Sequence, residues 1–112
     1  MKQRLAVLRG TLDVLVLRAL ASGAMHGFEI TGWIEARAAG NLELVDSALY
    51  QSLYRMEARR LVAAEWGVTG NNRRARYYHL TAAGRAQLAA DTANWARYAH
   101  TVSAILGTPA PA

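Results

Sequence analysis

No cysteine occurs in the 112-residue chain. That excludes disulfides, thiolate zinc sites and thiol chemistry, and it suits a reducing compartment. Proline is nearly missing: its two copies, Pro109 and Pro111, both fall in the segment Gly107 to Ala112, which reads as a disordered tail. No apolar run is long enough to span a bilayer, because Asp13 and Arg18 break up the stretch around Leu12 to Leu20. Met1 to Arg9 has neither the long apolar stretch nor the small-residue cleavage site of a secretory leader, so a cytoplasmic protein with no membrane partner is expected. There is no nucleophile–base pair, phosphate-binding glycine loop or carboxylate cluster, which argues against an enzyme. His26, His79 and His100 lie far apart without further ligands at metal spacing, so neither a metal nor a cofactor is expected.

What the chain has in excess is arginine. Twelve of its thirteen basic residues are Arg, eight residues are acidic, and the formal net charge is +5. Such a surplus favours phosphate-bearing partners. An alanine- and arginine-rich composition also follows from a GC-rich genome, so placement has to decide. The hydrophobic share of 53% supplies a core for one domain of this length. Much of that share is alanine, which favours helix but fills little volume, so a partner chain is expected to complete the core.

Along the chain, Thr11 is a good N-cap for a first helix running to about Ala21, apolar on most sides through Leu12, Leu15, Val16, Ala19 and Leu20. Met1 to Leu8 reads as a further turn or arm. A second helix, about His26 to Ala38, takes Phe28, Ile30, Ile34 and Trp33 as its inner face, with Gly27 and Gly32 marking close helix contacts. Leu42 to Val45 is a short extended link. Asp46 and Ser47 are candidate N-caps of a third helix, Ala48 to about Arg60, with Leu49, Leu53 and Met56 inward and Tyr50, Gln51, Tyr54 and Arg55 on other faces. Leu61 to Val68 and Arg74 to Leu80 read as strands of a hairpin whose Gly70-Asn71-Asn72 turn puts Arg73 and Arg74 at or beside its end. Thr81 caps a long last helix, Ala82 to about Leu106. In it Leu88, Trp95 and Val102 fall seven apart, followed at three residues by Tyr98 and Ile105, as in a heptad seam. The fold class is therefore mainly α with a small β-hairpin. It is a winged helix-turn-helix over residues 1–80 followed by a helix over 81–106 and a tail over 107–112.

These residues resemble the PadR family of bacterial transcriptional regulators in its short form, with a single C-terminal helix. The resemblance rests on Gly10-Thr11-Leu12-Asp13, Met25-His26-Gly27-Phe28-Glu29-Ile30, Leu49-Tyr50 through Glu57, Asn72-Arg73-Arg74-Ala75-Arg76-Tyr77-Tyr78, and Leu80-Thr81-Ala82-Ala83-Gly84. Three positions depart from the family's pattern. Gln51 stands where Pro is usual, Ser47-Ala48 where Gly and then Ser or Thr are frequent, and Arg60 where Gly usually ends the recognition helix.

The resemblance implies double-stranded DNA as partner. The candidate contacts are Ser47, Tyr50, Gln51, Tyr54 and Arg55 on the third helix, and Asn72, Arg73, Arg74 and Arg76 on the wing, with Arg74 and Arg76 on one strand face. It also implies a homodimer through Leu88, Trp95, Tyr98, Val102 and Ile105. Some short-form members hold flat aromatic ligands between tryptophans at that interface. Trp95 resembles that position, and a plain packing anchor is the alternative favoured for it. The expected function is a repressor on a palindromic operator, with recognition helices about 34–36 Å apart and relief by a small aromatic effector. The other reading is a winged-helix module that binds protein. Six arginines from Arg55 to Arg76, against only Glu57 and Glu65, favour DNA.

Overall fold

Apolar spacing and local capping generate eight elements in a computed structural model that describes residues 4–8 and 10–109. In chain order they are β1 (Leu5–Ala6), α1 (Leu12–Leu20), α2 (Gly27–Ala38), β2 (Leu42–Glu43), α3 (Asp46–Ala58), β3 (Val62–Val68), β4 (Arg74–Leu80) and α4 (Ala82–Leu106). Parts of two expectations, the N-terminal arm at Met1 to Gln3 and the tail at Ala110 to Ala112, lie outside the described residues, as does Arg9. The architecture is a winged helix-turn-helix with an appended long helix. Val16, Leu17 and Leu20 of α1 meet Ile30 and Ile34 of α2 and Leu49, Leu53 and Met56 of α3, and Val62, Tyr78 and Leu80 close the core from the hairpin.

β3 and β4 pair antiparallel from Val62↔Leu80 to Val68↔Arg74. At the base of this wing the Met25 main chain bridges to Tyr78 through two hydrogen bonds of 3.0 and 2.8 Å. The expected extended link contains β2, which pairs in parallel with β1, Leu5 opposite Leu42. Arg4 fixes that register by donating from Nε and Nη2 to the Leu42 carbonyl and from Nη2 to Glu35 at 3.0 Å.

Several local expectations change. Thr11 does not cap α1 with its side chain; its hydroxyl donates to the Leu8 carbonyl at 2.6 Å. Phe28 is 82% exposed, not part of the core. It precedes Ile30 by two residues, about 200° around the helix, and so points away from the buried side. Gly32 faces open space and makes no close contact, whereas a Cβ on Gly27 would lie 2.5 Å from the Tyr50 hydroxyl. α3 starts two residues earlier than expected. Val45 is its N-cap and Asp46 sits inside the first turn, where the helix dipole favours its charge.

α3 also ends earlier, at Ala58. Arg60 takes up the left-handed conformation with φ +59°. The Leu61 N–H donates to the Met56 carbonyl and the Arg60 N–H to the Glu57 carbonyl, at 2.9 and 3.0 Å. These are the two bonds of a Schellman motif with arginine at the glycine position. Leu61 and Met56 are both buried, which holds the chain in this shape. Left-handed backbone costs a residue with a Cβ about 1–2 kcal/mol, and glycine returns part of that through its freer unfolded chain. Arg60→Gly is therefore expected to stabilise the fold by about 0.5–1 kcal/mol, read as a higher urea midpoint at unchanged m-value.

α4 is capped by Thr81, whose Oγ1 accepts from the Gly84 N–H at 3.0 Å and donates to the Arg60 carbonyl at 2.7 Å. The same residue thus starts α4 and ties it to the end of α3. Gly107, in the left-handed region at φ +73°, ends the helix.

Candidate nucleic-acid interface

Helical spacing turns Leu49, Ser52, Leu53 and Met56 of α3 inward and leaves Ser47, Tyr50, Gln51, Tyr54 and Arg55 exposed. Tyr50, Gln51, Tyr54 and Arg55 share one shallow depression on this face. Tyr50 is half-exposed at 53%, because its ring lies over the backbone of Gly27 at the start of α2.

Arg55 is anchored. Its Nη2 donates at 2.8 Å to Oδ1 of Asp13 on α1, and the fully buried Ser52 donates its hydroxyl to the same oxygen at 2.5 Å. Arg76 on β4 is held more tightly, with Nη1 and Nη2 donating to the two carboxylate oxygens of Glu57 on α3 at 3.1 and 2.8 Å. This hydrogen-bonded carboxylate raises the guanidinium above its ordinary pKa, with desolvation opposing. The pair links the wing to α3.

At the wing tip the Thr69 N–H donates to the Arg73 carbonyl at 2.8 Å and the Asn72 N–H to the Thr69 carbonyl at 2.9 Å. Asn72, not Gly70, supplies the left-handed residue of the turn, at φ +61°. The side chains of Asn71, Asn72, Arg73 and Arg74 are exposed. Arg74 lies over the Trp66 ring at 4.7 Å, on the strand face it shares with Arg76. An open cleft of about 730 Å³ separates the wing from the start of α2; His26, Phe28 and Tyr50 line one wall and Asn71, Arg73 and Arg74 the other. Positive charge on one side and aromatic rings on the other suit a phosphate–sugar backbone.

Phe28 and Asp13 are not marked by the sequence as site residues, whereas His26, at the start of the second helix, is expected to bond backbone or phosphate. His26 caps α2, its Nδ1 accepting from the Glu29 main-chain N–H at 3.3 Å while the His26 main-chain N–H donates to the Glu29 carboxylate at 3.2 Å. The Met25–Tyr78 bridge carries it to the wing, where its ring meets Tyr77 edge-on at 5.2 Å. The angle between Phe28 and Ile30 was the available signal for Phe28; no local signal marks Asp13 as a neighbour of Arg55.

On α4, Leu88 packs against the core of the chain, Val102 is half-buried, and Trp95, Tyr98 and Ile105 are exposed. Trp95 and Tyr98 are tilted against each other at 6.2 Å. Trp95 also borders an apolar cavity of about 360 Å³ formed with Leu5, Leu8, Leu15 and Leu42. Among the described residues there is no cluster that could hold a metal ion, and no helix is long and apolar enough to cross a membrane.

The sequence matches the transcriptional regulator PadR-like family over residues 16–90. The fold is similar to that of a PadR family transcription regulator from Clostridium difficile, at 25% identity, 87% of this chain, 98% of the other and a TM-score of 0.72. It is similar to a PadR family regulator from Eggerthella lenta at 29% identity, covering 90% and 86% of the two chains with a TM-score of 0.72. Bacillus subtilis PadR, whose structure was solved in complex with operator DNA, shares the fold at 20% identity and a TM-score of 0.62 over 70% of this chain and 44% of its own.

Proposed function

The chain belongs to the PadR-like family of transcriptional regulators, and from that premise we propose that it is a repressor that binds a palindromic operator in double-stranded DNA as a homodimer. The observation that carries this reading is the exposed polar face of α3 standing beside an arginine-tipped wing, with an open cleft between the wing and α2. The family consists of regulators and not enzymes.

In this reading residues 1–80 form the DNA-binding unit and residues 81–106 the dimerisation helix. Gln51 and Arg55 read base edges, since Gln pairs with adenine and Arg with guanine through two hydrogen bonds each. Ser47, Tyr50 and Tyr54 contact phosphates, and Asn72, Arg73 and Arg74 grip the neighbouring backbone. Arg76 orients the wing through Glu57. The exposed Trp95, Tyr98 and Ile105, with Val102 beside them, supply the dimer seam, and Leu88 anchors its base to the body. A flat aromatic effector at Trp95 alters the angle between the two heads and so releases DNA.

A band-shift on the duplex upstream of the chain's own gene tests the reading. The expected result is a discrete band that survives random-sequence competitor and contains two chains per duplex, and a planar cationic dye titrated into the protein without DNA is expected to quench tryptophan fluorescence. Failure of any competitor-resistant band to form would refute the repressor, a single chain per duplex would refute the homodimer, and no quenching at high dye would refute the effector.

A further inference from the structure

Asp13 lies in the first turn of α1, outside the face of α3, yet it touches that face at one atom. Its Oδ1 accepts the Ser52 hydroxyl at 2.5 Å and Arg55 Nη2 at 2.8 Å. Ser52 is fully buried between Leu49, Leu53 and Met56, so the core itself pins the carboxylate oxygen. The guanidinium is pinned in turn, although the Arg55 side chain is 55% exposed. Among the described residues, Asp13 is the one hydrogen-bond partner of that guanidinium and takes one N–H of Nη2, so Nη1 and the second Nη2 hydrogen remain as an unpaired fork. Arg55 lines the depression shared with Tyr50, Gln51 and Tyr54.

A guanidinium has five N–H donors in a fixed fork, and a guanine edge takes two of them at O6 and N7. One donor on Asp13 is compatible with two on a base. A free arginine surrenders much rotamer freedom on binding, whereas one already held surrenders less. We propose that Asp13 is a positioning residue for sequence reading, holding Arg55 in the orientation from which it reads one guanine, and that it adds nothing to the general grip on DNA. The inference rests on the DNA-binding reading above. It separates Asp13 from the wing arginines, because a carboxylate beside phosphates repels them and cannot support non-specific affinity.

The test is selection from a randomised duplex pool, followed by titration of the selected duplex and of random-sequence duplex, with wild type, Asp13→Asn, Arg55→Ala and the double variant. Asp13→Asn keeps a hydrogen-bond acceptor for Ser52 while removing the charge that holds Arg55. It is expected to lose about ten-fold in preference for the selected duplex, with the loss confined to one guanine position, while binding to random duplex changes less than two-fold. Adding Asp13→Asn to Arg55→Ala is expected to change nothing further. Equal losses on both duplexes, losses that add in the double variant, or an unchanged preference would each overturn the role, since a plain α1–α3 staple behaves in the first way and independent residues in the second. Ser52→Ala, which frees the carboxylate without removing it, is the second variant should Asp13→Asn not fold, and it is expected to weaken the same position. A wild type that binds duplex but enriches no sequence would sink the sequence-reading function itself, an outcome distinct from a failed Asp13 cycle.

Discussion

Gly84→Ala is expected to destabilise the winged body by about 3 kcal/mol or more, at the upper end of what overpacking costs and a large part of the stability of a domain this small. A Cβ on Gly84 would stand 1.9 Å from the Leu61 carbonyl oxygen and 3.3 Å from Leu80 Cδ2. The oxygen has little room to withdraw, because it also accepts the Thr81 N–H at 3.1 Å at the junction of α3, the hairpin and α4. Helix propensity alone would favour alanine by about 1 kcal/mol, so the sign of the effect rests on packing. Gly32→Ala is the control: it lies within α2, its Cβ would meet nothing within 4 Å, and it is expected to raise stability by about 0.5–1 kcal/mol. Urea unfolding of both variants checks the pair. Shifts of the same sign would mean that α4 does not seat on Leu61 as described.

Removing both wing arginines, Arg73→Ala with Arg74→Ala, is expected to weaken binding to every duplex about thirty-fold at about 0.15 M salt, with the log–log salt slope shallower by about 2. Each guanidinium that neutralises one phosphate contributes about 0.9 to that slope, and both side chains are exposed on the cleft. Base preference is expected to survive, since the proposed function gives the wing the backbone and α3 the base edges. Arg76→Ala is expected to leave the slope nearly unchanged, because both terminal nitrogens of that guanidinium are committed to Glu57. Fluorescence anisotropy across a salt series decides it, and a slope that drops for Arg76 but not for the double variant would reverse the roles assigned to the two faces of the wing.

The features readable in the sequence are those set by local chemistry. Thr81 capping α4, the alternation of β3 and β4, and the inward row of Leu49, Leu53 and Met56 depend on neighbours a few residues away. What escaped depends on tertiary contact. Arg60 violates the glycine preference of a helix end because two backbone bonds and the burial of Leu61 hold it there. Phe28 looked like core because it is apolar, but the buried face of α2 is set by Ile30 and Ile34. The α3 face and the wing were both marked by their arginines. That Arg55 and Arg76 are tied back to carboxylates was not legible, since Asp13 and Arg55 lie 42 positions apart.

The Met25 bridge to Tyr78 also makes the two sides of the hairpin unequal. Part of the β4 edge is covered, while β3 keeps an open edge along Val62–Val68 among the described residues. That edge includes the exposed Trp66 and Val68, the ingredients of a template on which a second molecule could add a strand. Glu65 is the one charged residue within β3. In an otherwise basic wing its carboxylate does not help hold phosphate, and a charge in the middle of an unpaired strand disfavours edge-to-edge pairing.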